Sequence, residues 1–302
     1  MDVDKLIRAY QIAEKIIAGV SLEEVVPEKP VVWNGSVREE FLKFMRVNGR
    51  SQRYIRDCVL YLNTYVTEIR EPKDVVEAFE KCKRGKNHLY KALSNLLRFY
   101  EVIENYPKPF LDKLREAMPK VKSNIDYTES TEEEVVETFK SLKNCHLKYR
   151  VFYQLVLESG ARPEHLLHMI NNFNVGNLKE VNGFCRYTLG LEKGTKHHFY
   201  VYMKRETADA LVNLCVSRDV LGREALKSFV RRHLELVKPK LLRKFAYNRM
   251  VLSGIPESVA DFINGRKPRT IGGQHYMWLK AQADSFYPKY LSYLEELSKK
   301  IG

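Results

Sequence analysis

Apolar positions recur at helical spacing through most of the chain. Leu6, Ile7, Tyr10, Ala13, Ile16 and Ile17 mark one face of a helix over 5–18, and Pro27 and Pro30 end that unit. Residues 37–44 predict a second helix. Ser51 is placed to cap a third, which carries Tyr54, Ile55, Val59, Leu62 and Val66 on one face. The stretches 74–82 and 87–106 are periodic in the same way. The first 120 residues thus read as all-helical, with frequent Lys and Arg on the polar faces. Pro107, Pro109 and Pro119 punctuate the next stretch, and the polar, aperiodic segment 120–130 reads as a linker. Thr131 with Glu134 then forms a capping box that restarts helix.

Beyond the linker the pattern changes. Residues 149–158 predict an apolar helix that Gly160 stops, and Pro163 suits the first turn of the next. Residues 184–191 and 198–203 are rich in aromatic and branched side chains. The turn 192–196 between them makes this the best β-hairpin in the chain. Thr207 is read as the cap of a further helix. Pro239 opens one that runs to Gly254, Pro256 opens a shorter one to Asn264-Gly265, and residues 275–299 finish in one or two more. The expected fold is mainly α with a small antiparallel β-sheet. Two domains are expected, a helical one over 1–122 and a mixed α+β one over 123–302.

Composition narrows the partners. Hydrophobic residues make up 44%, too many for a disordered chain. Lys and Arg outnumber Asp and Glu by 51 to 38, a net charge of +13. Charge of that sign favours a polyanion, either nucleic acid or an anionic membrane surface. No apolar run approaches the roughly 18 residues of a membrane span, and the polar start Met1-Asp2-Val3-Asp4-Lys5 shows no secretory signal. The membrane reading weakens accordingly. The five cysteines form no CxxC pair, which argues against a disulfide scaffold or zinc module. It fits a reducing, intracellular setting.

Six basic groups and one tyrosine are the candidate chemistry. Arg162 stands at a helix start, Lys193 and Lys196 on the hairpin turn, and Lys240 and Arg243 one helical turn apart. Arg266 follows Asn264-Gly265, and Tyr276 comes after it. Taken singly, each has an ordinary structural reading as a cap, a surface lysine or a half-buried tyrosine. Their order is more telling. The stretch Glu158–His168, ESGARPEHLLH, resembles the first arginine box of the tyrosine recombinases. Glu192-Lys193-Gly194-Thr195-Lys196 resembles their lysine turn, and Lys240-Leu241-Leu242-Arg243 their His-x-x-Arg box. Arg266 stands in the place of the family's last histidine, and Tyr276 within one residue of the expected nucleophile. The resemblance covers roughly residues 130 to 300. The basic, helical first half is similar to the family's core-binding domain.

Two departures stand out. Lys240 and Arg266 occupy positions that are commonly histidine, which resembles the integrases of archaeal viruses and plasmids. His165 occupies the slot where an acidic residue is usual, and Glu164 comes one residue early.

The resemblance implies an enzyme that cuts and rejoins duplex DNA at attachment sites through a 3′-phosphotyrosine. It implies integration or excision of a mobile element, such as a viral genome, without metal, ATP or another cofactor. Arg162 and Arg243 would hold the phosphate oxygens. Lys193, or else Lys196, would be the general acid, Lys240 and Arg266 would add phosphate contacts, and Tyr276 would be the nucleophile. Four subunits at synapsis are expected. Arg50, Arg53 and Arg56 near one helix start, and Lys83, Arg84 and Lys86 in a basic loop, are candidate DNA contacts. The amphipathic tail 285–301, with Phe286, Tyr290, Leu291, Leu294 and Leu297, is expected to dock on a neighbouring subunit rather than on its own core. Two alternatives stay open, a type IB topoisomerase-like relaxing enzyme and a non-catalytic DNA-binding protein.

Overall fold

The computed structural model describes residues 29–120, 127–193, 196–217, 221–266 and 278–302; at 192, 193, 196 and 197 it describes the backbone. The helix expected over 5–18 and most of the expected linker lie outside these residues. The chain divides into two compact units, Met1–Ile125 and Asp126–Gly302.

In the first unit α1 (Gly35–Val47) starts at Asn34, whose side chain accepts from the Val37 N–H at 3.0 Å. Helix α2 (Gln52–Tyr65) starts under Ser51, as its cap predicts. Helices α3 (Pro72–Lys81), α4 (Lys86–Val102) and α5 (Lys108–Glu116) follow. Their apolar faces meet in one core around Phe41, Met45, Leu62, Phe79, Leu96 and Phe99.

Three details depart from the periodicity. The helix expected to reach residue 106 stops at Val102. Asn105 turns left-handed at φ 55°, and the residue before Pro107 is barred from helical backbone. The proline-rich stretch is itself helical, because Pro109 sits in the first turn of α5, where its missing N–H costs nothing. The unit is not all-helical either. Strands β1 (Val31–Val32) and β2 (Glu68–Ile69) pair antiparallel, too short to show an alternating pattern.

The second unit begins with the expected capping box. The Glu134 N–H donates to Thr131 Oγ1 at 3.2 Å, and the Thr131 N–H donates to Glu134 at 3.0 Å. Helix α6 (Glu132–Leu142) leads to α7 (Leu147–Ser159), the central helix, which Gly160 ends in a left-handed turn at φ 59°. Helix α8 (Pro163–Asn171) follows at once. Strands β3 (Leu178–Val181), β4 (Phe184–Lys193) and β5 (Lys196–Met203) form an antiparallel sheet in that order. Leu191 faces His198 and Lys193 faces Lys196, beyond a register shift between Thr188 and Leu191. Strand β3 is not predicted by the sequence pattern. The tight turn Asn182-Gly183, with φ 46° and 84°, folds it back on β4.

Helices α9 (Arg205–Val216), α10 (Arg223–Arg232), α11 (Pro239–Leu252), α12 (Glu257–Ile263) and α13 (Leu279–Ile301) complete the unit. Lys204, not Thr207, is the N-cap of α9. The Thr207 hydroxyl instead donates to the buried Glu158 carboxylate at 2.8 Å. Helix α13 lays Ala283, Tyr287, Tyr290, Leu294 and Leu297 into the unit's own core. The hydroxyls of Tyr287 and Tyr290 donate to the carbonyls of Glu158 and Leu157, at 3.1 and 2.8 Å. Those carbonyls belong to the last turn of α7, where no helical partner exists. This corrects the expected docking of the tail on a neighbour. Its apolar face is occupied at home, and Glu132 holds its far end through Tyr293 and Lys300. No described helix is long and apolar enough to cross a membrane.

Candidate active site

Three chain segments converge where α7 ends. Gly160 carries the chain out of the helix so tightly that a Cβ there would come within 2.5 Å of Asn264 Oδ1. Arg162, two residues on, is the N-cap of α8, with extended backbone. Its Nη1 donates to the Gly265 carbonyl. Arg243, on the second turn of α11, donates from Nε to the Gly160 carbonyl at 2.6 Å and from Nη2 to the Asn264 carbonyl at 3.0 Å. Each arginine therefore bridges the turn after α7, or the helix that follows it, to the turn after α12.

The acceptors are backbone carbonyls, not carboxylates, so they orient the guanidinium groups without cancelling their charge. The electrostatic cost is visible. Burial, then Arg162 and Arg266, pushes the Arg243 guanidinium down to about 10. Burial and Arg266 lower Arg162 as well. Both stay cationic at neutral pH, and a phosphate entering here would relieve the repulsion. Arg266 joins the cluster from the end of α12. It pairs with Asp261 at 2.6 Å and lies over the Tyr247 ring at 4.4 Å.

Two histidines line the buried side of the cluster. His165, one turn beyond Arg162 on α8, meets His198 of β5 with the two Nδ1 atoms 3.1 Å apart. His198 is completely buried, and a Cβ on Gly265, whose φ is 70°, would come within 2.5 Å of its ring. Burial, then His165, Arg243 and Arg162, holds the His198 ring down to about 3, so it is neutral. The sequence pattern alone assigns His198 no role. It does hold one signal, a histidine at the head of the apolar and aromatic run 198–203. His165 is the residue that stands in an acidic residue's slot. The neighbouring Glu164 is exposed and pairs with Arg223.

Arg162, Arg243 and Arg266 are thus brought together from sites far apart in sequence. Lys240 lies exposed on the first turn of α11, one turn before Arg243. Lys193 and Lys196 face each other across the end of the β4–β5 ladder. Tyr276 lies outside the described residues, as does His275; α13 begins shortly after them, at Leu279. In the first unit Arg50, Arg53, Arg56, Lys83, Arg84 and Lys86 are all exposed. The Arg50 guanidinium is 5.7 Å from the Tyr54 ring centre. Gly85, at φ 81°, packs the basic loop on Tyr61 of α2, whose ring stacks on His88.

The archaeal phage integrase family model matches residues 128–293, more than half of the chain. No curated protein matches it. Among solved structures, the chain is similar to a lambda integrase dimer bound to a COC′ core site. The two share 13% identity over 89% of this chain and 87% of that one, with a TM-score of 0.61. It is similar also to a lambda integrase tetramer bound to a Holliday junction, at 13% identity over 78% of each chain and a TM-score of 0.59. At such identity the likeness establishes a shared fold. The matched span holds the arginine cluster, the lysine hairpin and Tyr276, and the chain belongs to the archaeal phage integrase family, the tyrosine recombinases of integrase type.

Proposed function

We propose that the chain is a site-specific DNA recombinase that integrates or excises a mobile element. Its substrate is duplex DNA carrying attachment sites. The observation that carries the reading is the pair Arg162 and Arg243, two half-buried guanidinium groups held by backbone carbonyls with their charge uncancelled.

In this reading Tyr276 Oη attacks a DNA phosphorus while the bond from phosphorus to the 5′ oxygen breaks. The tyrosine gives up its proton to solvent, and the 5′ oxygen gains one from the ammonium of Lys193, or else Lys196, which solvent then reprotonates. Charge shifting on the non-bridging oxygens is met by Arg162 and Arg243 through fork-like hydrogen bonds, with Lys240 and Arg266 as further phosphate contacts. A 3′-phosphotyrosine stores the linkage until another 5′ hydroxyl reverses the step. One ester replaces another, so no ATP or redox cofactor is consumed. A free tyrosine ionises near about 10, and the neighbouring cations favour its phenolate. The helical unit, with Arg50, Arg53, Arg56, Lys83, Arg84 and Lys86, would supply phosphate neutralisation, and the second unit the chemistry. Four subunits would act at synapsis, as in the lambda integrase tetramer on its junction.

The test uses duplexes selected from a randomised pool by binding to the full chain, then nicked so that cleavage is trapped. A denaturant-resistant protein–DNA adduct that forms in EDTA and disappears in Tyr276→Phe is the expected result. Binding without any adduct would leave a non-catalytic DNA-binding protein.

A further inference from the structure

We propose that His198 is a positioning residue that fixes the lysine-bearing end of the β4–β5 hairpin against the arginine cluster. The inference rests on the recombinase reading above.

The hairpin is anchored twice. At its root, Arg186 of β4 pairs with Asp284 of α13, and the hydroxyl of Tyr202, opposite on β5, donates to the same carboxylate at 3.0 Å. That clamp lies on the far side of the register shift between Thr188 and Leu191. A bulge bends a strand and breaks the ladder, so the root alone leaves the outer end undetermined. His198 lies beyond the shift, opposite Leu191 and two residues from Lys196, roughly 7 Å along the strand.

What His198 touches is the arginine scaffold itself. Its ring rests on Gly265, the residue whose carbonyl holds Arg162, and Gly265 can come this close because it has no Cβ. Its Nδ1 meets Nδ1 of His165, one turn beyond Arg162. The next two residues of β5 add to the same dock, since Phe199 and Tyr200 both pack on Phe262 of α12, at 6.5 and 6.1 Å. A short Nδ1–Nδ1 contact requires one ring to donate and the other to accept, so the two rings cannot both be protonated. An imidazolium here would add a buried cation beside Arg162 and Arg243. The strand that carries Lys196 is therefore registered on the groups that hold the phosphate.

The leaving atom separates this role from simple core filling. A 5′ oxygen must gain a proton as its bond to phosphorus breaks. A sulfur in the same bridging position leaves as a thiolate and needs none, because a thiol ionises near about 8.5. Loss of a correctly placed lysine therefore harms cleavage of the oxygen substrate and spares the sulfur one. Loss of an arginine harms both. The experiment measures adduct formation by wild type, His198→Ala, His198→Asn, Lys193→Ala, Lys196→Ala and Arg243→Ala, on selected nicked duplexes with oxygen or sulfur at the scissile 5′ position. His198→Ala should slow oxygen cleavage by about 10- to 100-fold, a partial loss of a general acid's contribution of about 100- to 10,000-fold. It should return to within about threefold of wild type on sulfur, as the effective lysine variant does. His198→Asn, which keeps a hydrogen-bonding atom at the δ position, should recover part of the oxygen rate. Should His198→Ala fail to fold, the Asn variant carries the same comparison. Equal slowing on both substrates, as for Arg243→Ala, or no slowing at all, would overturn the proposal. No adduct from wild type on either substrate would instead overturn the recombinase reading, and this link with it.

Discussion

Glu158→Gln should change the pH dependence of stability in a direction the structure dictates. Glu158 lies in the last turn of α7 with no exposed surface. Its carboxylate accepts from Gln154 Nε2 at 2.7 Å, from the Lys204 N–H at 2.9 Å and from Thr207 Oγ1 at 2.8 Å. Burial outweighs these bonds and raises the group from 4.5 to about 7. A group raised on folding stabilises fully below its unfolded value and loses that contribution as pH rises through its folded value. Between about 4.5 and about 7 the folded carboxyl holds a proton that the unfolded one has lost, so stability falls by about 1.4 kcal/mol per pH unit of rise. Glutamine cannot titrate. Urea unfolding of both full chains, followed by circular dichroism at constant ionic strength from pH 4.5 to 8, gives the difference curve. Wild type should gain on the variant as pH falls from about 7, approaching that slope, and run parallel to it above about 8. The difference matters because His198, depressed from 6.5 to about 3, contributes the opposite slope through much of the window and masks Glu158 in the wild-type curve. A flat difference, or one of opposite sign, would show that the three hydrogen bonds balance or outweigh burial and would refute the reasoning.

Other perturbations act on the same network. Gly265→Ala puts a Cβ within 2.5 Å of the His198 ring at φ 70° and should cost about 2–5 kcal/mol in the same urea assay, from backbone strain and overpacking; a loss under about 1 kcal/mol would mean that the ring moves freely. Asp284→Ala strands the buried Arg186 guanidinium and should cost about 3–5 kcal/mol, recovered in part by Arg186→Met in the same chain; an unchanged urea midpoint would refute the root clamp. Arg53→Ala with Arg56→Ala should lower the slope of log affinity against log salt by about 0.9 for each phosphate no longer neutralised, measured on selected duplexes by fluorescence anisotropy; an unchanged slope would place DNA elsewhere.

Much of this molecule is legible along the chain because its determinants are local. Ser51, the Thr131–Glu134 box, Gly160 and Pro163 act within one turn of helix, and each ends or starts an element where its chemistry requires. The 184–203 hairpin is equally local, set by branched and aromatic residues on either side of a turn. The order of Arg162, Lys193, Lys196, Lys240, Arg243, Arg266 and Tyr276 carries the family resemblance, because a shared fold brings its site residues from the same elements in the same order along the chain. Strand β3 and the ladder of β1 with β2 escape such a reading, since their pairing is decided by partners rather than by periodicity. Thr207 reads as a cap along the chain, yet a buried carboxylate, contributed by a distant helix, claims its hydroxyl. The tail reads as free to dock elsewhere, yet Tyr287 and Tyr290 meet the unpaired carbonyls at the end of α7. The pairing of His198 with His165 is of the same kind. Two ordinary histidines become a buried joint only where a glycine lets a strand close onto the arginine scaffold. Local sequence sets helix ends, turns and the identity of the charged groups, because those depend on neighbours within a few bonds. Which of those groups are buried, which carbonyls hold them and which charges face one another is decided only when distant segments pack together and water is excluded.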